Sequence, residues 1–184
     1  ISRLTSAQST LCLNDSSVVK FERNNLINNA FGTSITNSFK ISNLIIDDEK
    51  NYLTLSAKHD AYENNFNYTH QRIIRIDKKN SNLLGEDKLV SVNKNKKSSN
   101  IYSIRFHLYP GVTAVQTMGK HSILIQIEKN KSLIFTSNAD SLVLEKSIFL
   151  GKNQIINNFC ITAAGSLNNC ENKNIMWELK RNNY

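Results

Sequence analysis

Short apolar segments that alternate with clusters of turn-forming residues run along almost the whole chain. Residues 39–46 and 52–57 flank a charged and polar stretch at 47–51, which is the pattern of a β-hairpin. The same pattern repeats, with a turn signal roughly every eight to twelve residues and about a dozen short strands. No helical periodicity persists for three turns, and residues 24–38 are mostly polar and ambiguous. The sequence therefore predicts an all-β fold, a large antiparallel β-sandwich of two sheets.

The length of 184 residues suits one domain with its own core. The chain begins with Ile1 rather than Met, and a strand-like segment follows at residues 9–13. We therefore expect residues 1–184 to form a single β-sandwich domain and expect that an upstream portion of a longer chain precedes it. No apolar run approaches the roughly 18 residues of a membrane helix, so we expect no membrane span.

The net charge of +8, from 23 Lys and Arg against 15 Asp and Glu, suits an anionic partner. Solvated loops explain the same charge, because the basic residues are scattered or clustered in predicted turns. Nucleic acid is not the expected partner, since no strand face interleaves aromatic and basic residues. The three cysteines, Cys12, Cys160 and Cys170, lack zinc-site spacing and are interpreted as ordinary thiols, although Cys160 and Cys170 could pair.

Six short motifs occur in order along the chain. They are residues 5–11 (Thr-Ser-Ala-Gln-Ser-Thr-Leu), 58–62 (Lys-His-Asp-Ala-Tyr), 70–72 (His-Gln-Arg), 85–89 (Gly-Glu-Asp-Lys-Leu), 105–112 (Arg-Phe-His-Leu-Tyr-Pro-Gly-Val) and 177–181 (Trp-Glu-Leu-Lys-Arg). Each motif is weak alone, but the ordered set is fairly specific. In this set the chain resembles the C-terminal β-domain of heparinase II/III-like proteins.

The resemblance implies a polysaccharide lyase that acts on an acidic, uronate-containing glycan by β-elimination. It also implies an N-terminal α/α toroid domain in the same protein, with the glycan held between toroid and sandwich. The main catalytic residues of the family lie upstream, so we expect no catalytic residue here and no activity from this chain alone. The implied location is the periplasm or cell envelope of a bacterium. The alternative is a non-catalytic carbohydrate-binding or structural β-sandwich of cell-envelope polysaccharide metabolism.

Gln8 is the main departure from the family pattern. Members with a metal in this domain have a His ligand at the position of Gln8, sharing the ion with residues further upstream. A neutral amide is a poorer zinc ligand than an imidazole. We therefore predict that the metal site is lost or filled by a hydrogen bond and that this chain has no cofactor. A divalent metal such as zinc in the full-length protein is the alternative.

His59, Tyr62 and Arg72 are the candidate substrate-binding residues. His59 and Tyr62 are close enough at a strand end to line a cleft, and Arg72 offers bidentate contacts to a sulfate or carboxylate. The structural alternative makes His59 and Tyr62 a corner lock, with His59 bonded to the backbone and the Tyr62 ring packed. Arg72 and Arg75 face opposite sides of a regular strand, so they form no joint clamp.

Three further features have mainly structural interpretations. Glu86 and Asp87 are adjacent in a strand and face opposite sides, which excludes them as a glycosidase carboxylate pair. His107 lies between two apolar residues and is expected to be a hydrogen-bonded structural histidine. Trp177 is expected in the core, because an indole buries a large apolar area.

Overall fold

The computed structural model describes residues 3–95, 99–151, 154–168 and 170–182. Within these residues it contains twelve strands, a 3-10 turn at Thr5–Ala7 and two short helices, α1 (Asn25–Phe31) and α2 (Glu63–Phe66). The strands are β1 (Leu11–Leu13), β2 (Ile41–Asp48), β3 (Tyr52–His59), β4 (Tyr68–Asp77), β5 (Asn82–Ser91), β6 (Ile101–His107), β7 (Thr113–Gln116), β8 (Ser122–Glu128), β9 (Lys131–Ser137), β10 (Ser141–Gly151), β11 (Gln154–Ser166) and β12 (Asn172–Asn182). The predicted all-β fold is confirmed.

The strands form two antiparallel sheets that pack face to face. The smaller sheet has four strands in the order β1-β6-β11-β10, and the larger has eight in the order β2-β3-β4-β5-β12-β9-β8-β7. Buried apolar side chains from both sheets meet between them, including Leu11, Tyr102, Ile104, Ile161 and Ala163 from the smaller and Leu89, Ile123, Phe135, Ile175 and Trp177 from the larger. The predicted antiparallel sandwich of two sheets is therefore confirmed, as is the core position of Trp177.

Alternation along β5 shows how the sequence directs side chains to the two faces. Gly85, Asp87 and Leu89 are buried on the inner face, whereas Glu86 and Lys88 are only partly buried on the outer face. This alternation follows from the pleat of a strand, where successive side chains point to opposite sides. Glu86 and Asp87 therefore lie on opposite faces, as predicted.

The N-terminal third differs from the sequence prediction in two places. The ambiguous stretch contains helix α1, which begins after Asn24, whose side chain accepts a hydrogen bond from the Leu26 amide at 2.9 Å. Gly32 ends the helix with a φ of 75°, a conformation that favours glycine. The strand predicted from Ser9 begins only at Leu11, and the Ser9 carbonyl before it accepts a hydrogen bond from the Arg72 side chain.

The two ends of the larger sheet differ in exposure. Strand β2, at one end, is exposed along its whole length, while β5 and β12 in the middle carry buried residues on the inner face. Neither helix in the described ranges has the length and apolar character needed to cross a membrane.

Candidate functional site

Asp87 is the centre of a polar cluster inside the sandwich. It lies on β5 opposite Arg72 of β4 and Ile175 of β12, and none of its surface is exposed. Its Oδ1 accepts hydrogen bonds from His70 Nε2 at 2.7 Å and Arg72 Nε at 2.8 Å. Its Oδ2 accepts from Arg72 Nη2 at 3.0 Å and Trp177 Nε1 at 2.9 Å. One buried carboxylate thus connects three neighbouring strands.

Gly85 allows the indole of Trp177 to reach Asp87. The two residues are paired in register on β5 and β12, and a Cβ atom added at Gly85 would lie 2.0 Å from Trp177 Cε2. The indole therefore occupies the space that any other side chain would need. Trp177 also packs edge-on against Phe106 of the smaller sheet, with ring centroids 4.8 Å apart, so it connects the Asp87 cluster to the apolar core.

A chain of two histidines leads from Asp87 to the end of β3. His59 and His70 are directly opposite on β3 and β4, and His59 Nε2 lies 3.0 Å from His70 Nδ1. The Ala61 amide donates to His59 Nδ1 at 3.3 Å, so this nitrogen carries no proton. His59 Nε2 therefore donates to His70 Nδ1, and His70 Nε2 donates to Asp87. This direction leaves His59 with a single proton, on Nε2.

The pKa is lowered at both ends of this cluster, which keeps Asp87 ionised and His59 uncharged. At Asp87 burial opposes ionisation, but the hydrogen bond from His70 and the charge of Arg72 outweigh it and lower the pKa to about 2. At His59 burial, helped by the neighbouring His70, lowers the pKa to about 4. Around neutral pH the cluster therefore contains one ion pair, Asp87 with Arg72, and uncharged His59.

Tyr62 ties the end of the histidine chain to the smaller sheet. Residues 60–66, called the corner below, lie between β3 and β4 and include helix α2. The Tyr62 ring is 1% exposed, and its hydroxyl donates to the Leu11 carbonyl of β1 at 2.8 Å. Burial raises the pKa of this hydroxyl. Its ring centroid lies 5.5 Å from that of His59.

The structure brings the three predicted substrate-binding residues together, but it also engages their polar groups. His59 bonds the backbone at Ala61, and the Tyr62 ring is packed with its hydroxyl bonded, as the corner-lock alternative predicts. Arg72 forms its bidentate contact with Asp87 rather than facing solvent. A glycan that bound Arg72 through Nε and Nη2 would compete with Asp87, and direct contact by the three residues stays a prediction.

Sequence reasoning missed the central roles of Asp87 and His70. Both belong to motifs noted in the sequence, yet neither was assigned a partner, because neither strand register nor side-chain contacts follow from motif order. The signal was an aspartate at an inward position between Gly85 and Leu89. A charge at such a position needs partners on adjacent strands.

Arg75 lies on the opposite face of β4 from Arg72, as predicted. It is exposed, and its guanidinium carbon lies 5.7 Å from the ring centroid of Tyr52. The two arginines thus form no joint clamp on one ligand. Arg75 belongs to the outer surface of the larger sheet.

Gln8 is an exposed residue of the N-terminal segment. It lines a cavity of about 450 Å³ together with His107 and Ser147 on the outer face of the smaller sheet. His107 Nε2 lies 3.1 Å from the Ser6 carbonyl, and its Nδ1 lies 3.4 Å from Ser147 Oγ. Both nitrogens of His107 thus have polar partners, in agreement with its interpretation as a hydrogen-bonded structural histidine.

The donors near Gln8 do not form a zinc site. Within the described ranges, the chain has no group of three His, Cys, Asp or Glu residues placed to hold a metal ion. Gln8 and the engaged imidazole of His107 supply too few suitable ligands for the tetrahedral set that zinc prefers. The predicted loss of the metal site, and the alternative of a divalent metal in the full-length protein, stay predictions.

The family model described as "Heparinase II/III-like, C-terminal" matches residues 1–177. The chain therefore belongs to the heparinase II/III-like family and corresponds to its C-terminal domain. Comparison with curated protein sequences gives no match.

Two solved structures show the same fold. Heparan sulfate lyase HepC from Pedobacter heparinus superposes with a TM-score of 0.73 at 18% identity over 97% of this chain. A crystal structure of heparinase III superposes with a TM-score of 0.69 at 13% identity over 98% of this chain. In each case this chain spans only 24% of the length of the other protein.

Proposed function

We propose that this chain is the C-terminal domain of a polysaccharide lyase that cleaves uronate-containing acidic glycans by β-elimination. The observation that carries the proposal is the family match over residues 1–177. The fold shared with a heparan sulfate lyase agrees with it. The net charge of +8 also suits a polyanionic substrate.

The chemistry of β-elimination explains why we assign the reaction centre to another part of the full-length protein. A base removes the proton from C5 of the uronate, the C4–C5 double bond forms, and the C4–O4 bond breaks with its electrons leaving on oxygen. The step needs a base and hydrogen-bond donors fixed beside the developing enolate charge. The interior cluster instead directs its donors to Asp87 and to the backbone carbonyls of Ser9 and Leu11. We infer that base and donors belong to an N-terminal toroid domain.

We further propose that the corner and β4 form one wall of the glycan cleft, with His59, Tyr62 and Arg72 near the substrate. Tyr62→Phe tests direct contact, because the ring stays and only the hydroxyl is lost. If Tyr62 contacts the glycan, the Kd for heparan oligosaccharides rises severalfold in the full-length variant. If the Kd is unchanged and the stability is lowered, the hydroxyl serves only the hydrogen bond to the Leu11 carbonyl.

The proposed reaction is tested by incubating the full-length protein with heparan, alginate or a similar uronate polymer. The expected result is a growing ultraviolet absorbance from unsaturated uronate products. The 184-residue chain assayed alone is the control and should show no increase. Glycan binding by the full-length protein without any absorbance change would support the non-catalytic carbohydrate-binding alternative, and activity of the isolated chain would contradict our assignment of the reaction centre.

A further inference from the structure

His59 lies where the corner meets the larger sheet. Three parts of the chain surround it. Strand β4 contributes His70, and the segment before β2 contributes the Phe39 ring. The corner contributes the Asp60 carboxylate, the Ala61 amide and the Tyr62 ring. Asp60 is itself engaged, since its Oδ1 accepts a hydrogen bond from the Lys40 amide at 2.7 Å. Asp87 and Arg72 lie beyond His70.

The hydrogen-bond directions leave His59 no place for a second proton. Its Nε2–H already donates to His70 Nδ1, so an added proton must go to Nδ1. There it would face the Ala61 amide, whose nitrogen is 3.3 Å away and is also a donor. The hydrogen bond between the Ala61 amide and His59 Nδ1 would then be lost, and the two N–H groups would repel each other. The backbone at Ala61 must then move away from His59.

We propose that His59 is a pH-sensitive latch whose protonation releases the corner from the larger sheet. The corner also holds Tyr62, whose hydroxyl bonds the Leu11 carbonyl of β1. Opening the corner therefore loosens one contact between the two sheets. It also reshapes a cavity of about 590 Å³ that the corner borders together with Lys20 and Phe39. Acidification is thus coupled to a local rearrangement of one edge of the sandwich.

Proton linkage sets the size of the effect. The pKa of His59 is about 4 with the corner closed, compared with 6.5 for a free imidazole, so the closed form binds a proton roughly 300-fold more weakly. The closed corner has its full stability relative to the open form above pH 6.5, and this stability decreases as the pH falls toward 4. The equilibrium constant for opening should rise about 30-fold between pH 7.5 and pH 5.

Hydrogen exchange of the full-length protein, read by mass spectrometry on a peptide covering residues 60–66, tests the latch. After correction for intrinsic exchange rates, protection of this peptide should fall about 30-fold from pH 7.5 to pH 5. In H59N the fall should disappear, because the Asn oxygen can still accept from Ala61 and does not titrate. H121N is the matched control, since His121 is exposed in a turn, and it should keep the wild-type fall.

Two results would overturn the proposal. One is protection of residues 60–66 that stays constant across this pH range, and the other is a fall that persists in H59N. If H59N does not fold, the titration of the His59 ring nitrogens in the wild-type protein, followed by NMR, replaces it. The midpoint of that titration must then coincide with the loss of protection, and a separate midpoint rejects the latch.

Discussion

Replacing Asp87 with Asn should destabilise the sandwich more than replacing any other charged residue of β5 with a neutral one. The Asp87 carboxylate accepts four hydrogen bonds, two on each oxygen, from His70, Arg72 and Trp177. An amide has only one oxygen, and its NH₂ group would face the Nε–H of Arg72 in one orientation and the Nε1–H of Trp177 in the other. The guanidinium, 17% exposed, would also lose its counterion.

The expected loss is about 3–5 kcal/mol in the free energy of unfolding, the range for removing one partner of a buried ion pair. Urea denaturation followed by tryptophan fluorescence measures it, because Trp177 is the only tryptophan in the 184 residues and touches the substituted group. With a slope of about 2 kcal/mol per molar urea, the midpoint should fall by roughly 1.5–2.5 M.

Glu86→Gln is the matched control for this substitution. Glu86 is the neighbouring residue on the outer face of β5, and its side chain is 27% exposed beside Lys88 at 3.4 Å. The loss there should stay below about 1 kcal/mol, as for surface ion pairs. Adding Arg72→Met to Asp87→Asn should recover part of the stability, because the unpaired charge is removed. Equal, small losses in Asp87→Asn and Glu86→Gln would refute the central role of Asp87.

Three further outcomes follow from the same contacts. Gly85→Ala should cost at least about 1–3 kcal/mol and shift the emission of Trp177, because the added methyl overlaps the indole; unchanged emission would contradict this. Tyr62→Phe should cost about 1 kcal/mol through the lost hydrogen bond to Leu11, without a cavity, as urea midpoints will show. The free energy of unfolding should fall by up to about 3 kcal/mol from pH 6.5 to pH 4, since the folded state resists protonation of His59; a flat profile would reject that shift.

Local sequence patterns were sufficient for much of the fold. Alternation and turn residues predicted the hairpin of β2 and β3, whose strands pair antiparallel. The same alternation assigned Glu86 and Asp87 to opposite faces and Arg72 and Arg75 to opposite faces. Helix α1 was missed because it is only seven residues long, which is too short for a helical periodicity to persist over three turns.

The sequence by itself determined the sandwich class, the family resemblance and which side of a strand each residue faces, because these depend on local periodicity and motif order. Only the tertiary structure decided which buried polar groups meet. Register between β3, β4, β5 and β12 places His59, His70, Asp87 and Trp177 in contact across three strand pairs. Such pairing is non-local, so no spacing along the chain reveals that Arg72 is held by Asp87 or that Tyr62 reaches Leu11.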